Sequence, residues 1–239
     1  ITSLRDTKWK DGPQAYAEIL LLHHSWYPDK EWASNEVDKI LLNNQVYKDV
    51  IAMRLGFAYS VSHLWSESKY RKMSTSVISK LISEENEEIQ KAVADIFRIV
   101  DTLLPDDCTR KLLDLLCEHP NVLQKARDIF IVERLQDLLP LEPDRVYRVC
   151  KIMLQHNGSE LANISTSFSA AAPEMINIAL TLQRLGGDYR KYGLELFEKL
   201  LELNAYGAKD TLMELDHRPG LKFQHPIRRK RKTRKEKSK

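Results

Sequence analysis

The sequence predicts an all-α protein: an α-solenoid of about five antiparallel helical hairpins, followed by a disordered basic C-terminal tail. Three observations lead there. Apolar residues recur at helical spacing along nearly all of the 239 residues, with no convincing alternating run and no Asn-Gly turn between alternating segments. Only 8 glycines are present, while Leu, Glu and Lys abound, a balance that favours helix. A short pattern also returns, as IQKAVADIF at 89–97, LQKARDIF at 123–130 and YRKYGLELF at 189–197.

The first helix is expected over 13–26, with Pro13 in its opening turn and Ala15, Ile19 and Leu22 on the inner face. A second covers 31–43 through Val37, Ile40 and Leu41, and a long third covers 45–65. The next, 67–84, turns Met73, Val77, Ile78 and Leu81 inward. The acidic turn EENEE at 84–88 suits a helix start, and Ile89, Val93, Ile96, Phe97 and Val100 form the stripe that follows. Pro105-Asp106-Asp107 ends that helix and caps 107–118. After His119-Pro120-Asn121, a helix over 121–139 stops at Pro140. Glu142-Pro143-Asp144 opens 144–156, which stops at Asn157-Gly158. The small polar stretch 162–172 reads as a loop. Pro173 opens a helix to about 185, Gly186-Gly187 stops it, and Asp188 caps 189–204. A short helix over 208–217 precedes Arg218-Pro219-Gly220. The resulting division is an aromatic-rich 1–66, hairpins over 67–161, the loop, terminal hairpins over 173–218 and the tail 219–239.

The returning pattern supplies the unit. Gln90-Lys91-Ala92 and Gln124-Lys125-Ala126 lie 34 residues apart, and Lys91 and Phe97 precede Lys191 and Phe197 by 100. Each copy begins the second helix of a hairpin, and spacings of roughly 33 to 45 residues mark stacked helical pairs. A helix packed between its partner and its neighbours needs apolar residues on several sides, as Leu194, Leu196, Phe197, Leu200, Leu201 and Leu203 provide. Residues 77–100, VISKLISEENEEIQKAVADIFRIV, resemble a HEAT repeat. They have an apolar first helix, an acidic turn, then a branched apolar residue, a base and an alanine. Ile89-Gln90-Lys91 stands where that family usually has Val-Arg, and Glu84 or Glu85 where it has a turn Asp. The resemblance implies a scaffold that binds proteins; a minority of the family cradles nucleic acid. Residues 190–218 resemble the C-terminal helical segment of bacterial ATP-binding proteins of the STAND/NACHT conflict-system type. That implies antiviral defence and a nucleotide-binding domain upstream.

Composition excludes several classes. No apolar run approaches the roughly 18 residues of a membrane span. ITSLRDTKWKDG lacks the apolar centre of a signal peptide and begins without Met, so the chain is expected to be a piece of a larger cytoplasmic protein, or a nuclear one in a eukaryote. Three cysteines, Cys108, Cys117 and Cys150, fit a reducing compartment. Phosphate-binding glycine loops and hydrolase signatures are absent, and Cys108, Cys117 and His119 match no standard zinc spacing. No catalytic residue, cofactor or metal is therefore expected; a helical enzyme using scattered acids in a groove is the remote alternative.

Charge and aromatic placement nominate the binding residues. Arg228 to Lys239 carries nine Lys or Arg and one Glu, a charge of +8, leaving the rest at −5. Arg228, Arg229, Lys230, Arg231, Lys232, Arg234 and Lys235 could hold a polyanion non-specifically, or simply solubilise the chain. Arg145, Arg148 and Lys151 form a stripe along one helix that either contacts phosphates or an acidic partner, or pairs with neighbouring acids; Lys69, Arg71 and Lys72 pose the same choice. Trp9, Trp26, Trp32 and Trp65 all fall in the first 65 residues, as core filling or as a protein interface with upstream domains. The expected partner is a protein on the concave face of the stack, with non-specific nucleic acid as the alternative.

Overall fold

A computed structural model describes residues 11–27, 29–42, 47–99, 106–126, 129–162 and 168–217, with side chains left undescribed at 98, 99, 157–159, 216 and 217. The described residues are all-helical, with no strand among them. The helices are α1 (Gly12–Trp26), α2 (Glu31–Leu42), α3 (Val50–Leu64), α4 (Arg71–Leu81), α5 (Glu87–Ile99) and α6 (Asp107–Glu118). They continue with α7 (Pro120–Ala126), α8 (Ile129–Leu138), α9 (Pro143–Asn157), α10 (Ala172–Leu185), α11 (Gly187–Glu202) and α12 (Ala208–His217). Val100, Pro105, Trp9, the basic tail and residues 163–167 of the loop expected over 162–172 lie outside the described residues; the described end of that stretch is instead a short 3-10 helix, Ser169–Ala171, with Phe168, Ala171 and Ala172 buried.

Local chemistry sets many of these boundaries. The Asp106 carboxylate accepts the Thr109 amide at 2.8 Å and caps α6. Asn86 Oδ1 accepts the amides of Glu88 and Ile89 at 3.0 and 3.1 Å, starting α5. Gly186 and Gly187 take φ of 77° and 55°, so the turn between α10 and α11 needs residues free of a Cβ penalty. Gly186 occupies the capping position expected for Asp188, which lies in the first turn.

Two expected buried faces need correction. The inner face of α1 is Tyr16, Ala17, Leu20 and Leu21, and Ile19 points outward. Four consecutive apolar residues leave little periodic contrast to read at that point. The helix expected over 121–139 is described in two stretches, α7 and α8, and residues 127 and 128 between them lie outside the described residues. At the 34-residue offset the counterpart of buried Phe97 is Ile131, which is also buried, while Phe130 is half exposed. On α11, Leu196, Phe197 and Leu200 are buried, while Leu194 faces outward.

Packing joins each helix to its near neighbours along the chain. One row of contacts runs α1–α3–α5–α7, with α8 touching both α5 and α10; another runs α2–α4–α6–α9–α11. Successive helices close the gap between the rows, as in α1–α2, α3–α4, α4–α5 and α10–α11. One connected apolar core, from Tyr16 to Ala208, lies between them. Helices approach closely at two glycines. A Cβ on Gly56 would lie 2.5 Å from the Gln14 carbonyl oxygen of α1, and one on Gly193 2.4 Å from the Ala179 carbonyl oxygen of α10.

Polar ties follow the same rule. Lys80 reaches Asp38 at 2.7 Å, Arg71 reaches Asp106 at 2.8 Å, and Lys125 donates to Gln90 at 2.9 Å. These ties, with Arg110–Glu142 and Arg148–Asp114, span 32 to 42 residues. The Lys125–Gln90 bond links the two QKA copies directly.

Glu142 is buried between Arg110 and Arg145. The hydrogen bond from Arg110, then that from Arg145, holds its carboxyl below the ordinary glutamate value of 4.5 against the opposing effect of burial. A depressed carboxylate stabilises the fold fully above that ordinary value, and the contribution fades as pH falls through the folded pKa. Glu142→Gln is expected to lower stability at pH 7 and to flatten the further loss below about pH 4.5, where the free glutamate would titrate. Urea midpoints measured from pH 7 to pH 3 check this; parallel curves for the two proteins would contradict it.

Candidate functional site

Two surfaces of the α2–α4–α6–α9–α11 row collect the polar chemistry. The first carries the predicted stripe on α9. Arg145 bonds Asp114 at 3.2 Å and Glu142 at 2.9 Å, and Arg148 bonds Asp114 at 2.7 Å. Lys151 bonds Glu195 of α11 at 2.7 Å. All three cations thus meet acids from neighbouring helices, and their charge is largely satisfied within the chain. Beside them Tyr147 stacks on Tyr192 with centroids 4.1 Å apart and planes 6° from parallel, and its hydroxyl donates to Glu195. Tyr189 packs edge-on against Tyr192 and bonds Asp144 at 3.2 Å. These contacts tie α11 to α9.

The second surface is a groove bounded by the end of α1, α2, and the start and face of α4. It comprises two adjoining hollows of about 510 and 520 Å³ that share His24, Lys69 and Met73. The floor of the first is aliphatic: Val37 and Leu41 from α2, Met73 and Val77 from α4. Lys69, Lys72 and Lys80 stand around it, with Asp38 as the one acid of the lining. Asp38 is engaged by Lys80, and Lys69 reaches Glu67 at 3.3 Å, with both side chains of that second pair largely in water. The second hollow ends on Trp26, which is 61% exposed.

His24 sits where the hollows meet. Its Nδ1 is buried without a hydrogen-bond partner. Burial lowers the imidazole pKa, against the pull of Asp38, and His23 adds to the lowering. The ring is therefore neutral at pH 7, and the positive character of the groove comes from its lysines. The neighbouring His23 ring lies 5.0 Å from Tyr27 and 5.1 Å from Trp32.

Among the predicted interface residues, Trp26 and Trp32 are exposed near the groove. Trp65 is 1% exposed and belongs to the core, with the Arg71 guanidinium 5.5 Å from its ring centre. Arg71 itself is buried, donating to the Trp65 carbonyl at 3.2 Å and pairing with Asp106, so it separates from Lys69 and Lys72. The groove has a sequence signature. Lys69, Lys72, Met73, Ser76 and Lys80 fall at i, i+3, i+4, i+7 and i+11, a single helical face. What the sequence does not display is the opposing face of α2.

Cys150 is buried and its thiol is pushed up to about 12, chiefly by loss of solvation. Among the described residues, no group of three or more His, Cys, Asp or Glu is arranged to hold a metal, and no helix is long and apolar enough to cross a membrane. Neither a protein-family model, nor a curated protein, nor a solved structure matches the chain.

Proposed function

We propose that this chain is an α-solenoid that serves as a non-catalytic, protein-binding scaffold. The observation that carries the reading is the locality of its packing. Helices pack on partners no more than three apart along the chain, and the side-chain ties recur at separations close to one helical pair. Units that bury their apolar faces on neighbours build an extended body with long continuous surfaces, and such surfaces suit polypeptide partners. The α2–α4 groove is one of them. The alternative, nucleic-acid binding, rests on the basic tail, since Arg145, Arg148 and Lys151 already meet Asp114, Glu142 and Glu195.

Two measurements test the proposal. In a stacked array, opening free energies follow position, and terminal units open before central ones. Amide hydrogen exchange is expected to show α1 and α12 opening well below α5 to α7. A single common value for the slow amides of all helices would sink the solenoid reading. Binding to duplex DNA at low and moderate salt, with and without residues 228–239, addresses the alternative. Salt-sensitive binding that disappears with the tail would favour nucleic acid, and no binding at low salt would eliminate it.

A further inference from the structure

We infer that the groove between α2 and α4 takes an acidic, amphipathic helical segment of a partner protein. The inference rests on the scaffold reading above and names the chemistry of its partner. A purely apolar groove would not choose among occupants; the arrangement of charge around this one does. Three lysines stand around the first hollow against one carboxylate, and that carboxylate is held by Lys80 at 2.7 Å. Lys72 is exposed, and Lys69, which reaches Glu67 and lies 4.5 Å over the Tyr70 ring, keeps most of its side chain in water, so both can meet a ligand carboxylate. The facing potential is positive and favours an anionic occupant.

The floor decides what kind of anion. Met73, half-buried beside the nearly covered Val37, Leu41 and Val77, offers the occupant's apolar side chains a surface that adapts its shape to what it meets. Two helices line the hollow, and a helix-lined hollow suits an amphipathic helix with apolar anchors at i, i+3 or i+4, and i+7. A bare phosphate chain would gain little from the Met73 side chain. Trp26, open to solvent at the far end of the second hollow, gives a terminal anchor a ring to cover.

The test uses the full chain and a phage-displayed library of random 16-residue peptides, cleared first on a Lys69→Glu/Lys72→Glu variant. Clearing removes ligands of the basic tail, which both proteins share. Peptides retained by the unaltered chain are expected to be rich in Asp and Glu, with Leu, Ile or Phe at helical spacing. By fluorescence anisotropy they should bind Lys69→Glu/Lys72→Glu at least roughly tenfold more weakly, the scale of one lost charge-assisted contact. A Lys191→Glu/Lys209→Glu variant makes the same change in net charge at exposed positions on α11 and α12 and should bind as the parent does. Selected peptides without acidic bias, or equal weakening by the two variants, would overturn the inference. So would a 12-nucleotide oligothymidylate that binds through Lys69 and Lys72 more tightly than any peptide. Hydrogen exchange keeps the two levels apart. If the positional gradient holds and the peptides fail, only the groove assignment falls; if the gradient fails, the scaffold falls whatever the peptides do.

Discussion

Replacing Arg54 with Met is expected to lower folding stability by about 2–4 kcal/mol. Removing one partner of a fully buried ion pair costs about 3–5 kcal/mol, and the partly wet carboxylate of Glu84 moves this case down. Arg54 is 3% exposed, and its fork makes three different contacts. Nε donates to the Ile40 carbonyl at 2.9 Å, and Nη2 donates to the Leu41 carbonyl at 3.2 Å. Nη1 pairs with Glu84 at 2.9 Å. The two carbonyls belong to the last turn of α2, where the helix leaves acceptors unmatched and carries its negative end. One guanidinium therefore finishes α2, anchors it to α3, and holds the turn ahead of α5. Met preserves the aliphatic stem and removes all three donors. Lys, with one compact ammonium, cannot reproduce the fork and is expected to recover only part of the loss. Urea denaturation followed by circular dichroism reads the difference. A Met variant as stable as the parent would mean that solvent replaces the guanidinium without penalty.

Gly193→Ala is expected to destabilise although helix propensity points the other way. In an open helical position, alanine gains about 1 kcal/mol over glycine. Here the added carbon would stand 2.4 Å from the Ala179 carbonyl oxygen and 2.6 Å from the Gln183 amide nitrogen. Both atoms are backbone, so relief requires α10 and α11 to separate along their contact. Overpacking of this kind costs about 1–3 kcal/mol and occasionally more. With backbone on the receiving side, the upper part of that range wins over propensity. Thermal unfolding should shift down by roughly 2–4 °C for each kcal/mol lost. Gly56→Ala should behave similarly, because its carbon would meet the Gln14 carbonyl oxygen at 2.5 Å. A raised midpoint for either variant would show that these crossings are looser than described.

How much was legible beforehand depended on whether the deciding chemistry was local. Asp106 and Pro143 mark the starts of α6 and α9 because a cap and a fixed φ act within one turn. The stripe Ile89, Val93, Ile96 and Phe97 is buried as its spacing implied. The inner face of α1 was misread because Ile19, Leu20, Leu21 and Leu22 offer apolar carbon in every direction; tertiary contact alone selects among them. The choice between ligand contact and internal pairing stayed open for a similar reason. Arg71 and Lys72 are adjacent in sequence, yet one is buried against Asp106 and the other faces water. Arg145, Arg148 and Lys151 could be seen as a stripe, but Asp114 and Glu195 come from other helices, and spacing along α9 carries no information about them. The groove divides the same way: its α4 wall is a visible run of spacings, while its α2 wall is a product of packing.

The stacked Tyr147, whose hydroxyl reaches Glu195, closes the longest of the ties described, at 48 residues. During synthesis at about 5–20 residues per second, such a partner emerges only some 2–10 seconds after the first. Each helical pair can therefore settle on its predecessor while the ribosome is still making the next. Less oily surface then waits on the growing chain than more distant pairing would leave exposed.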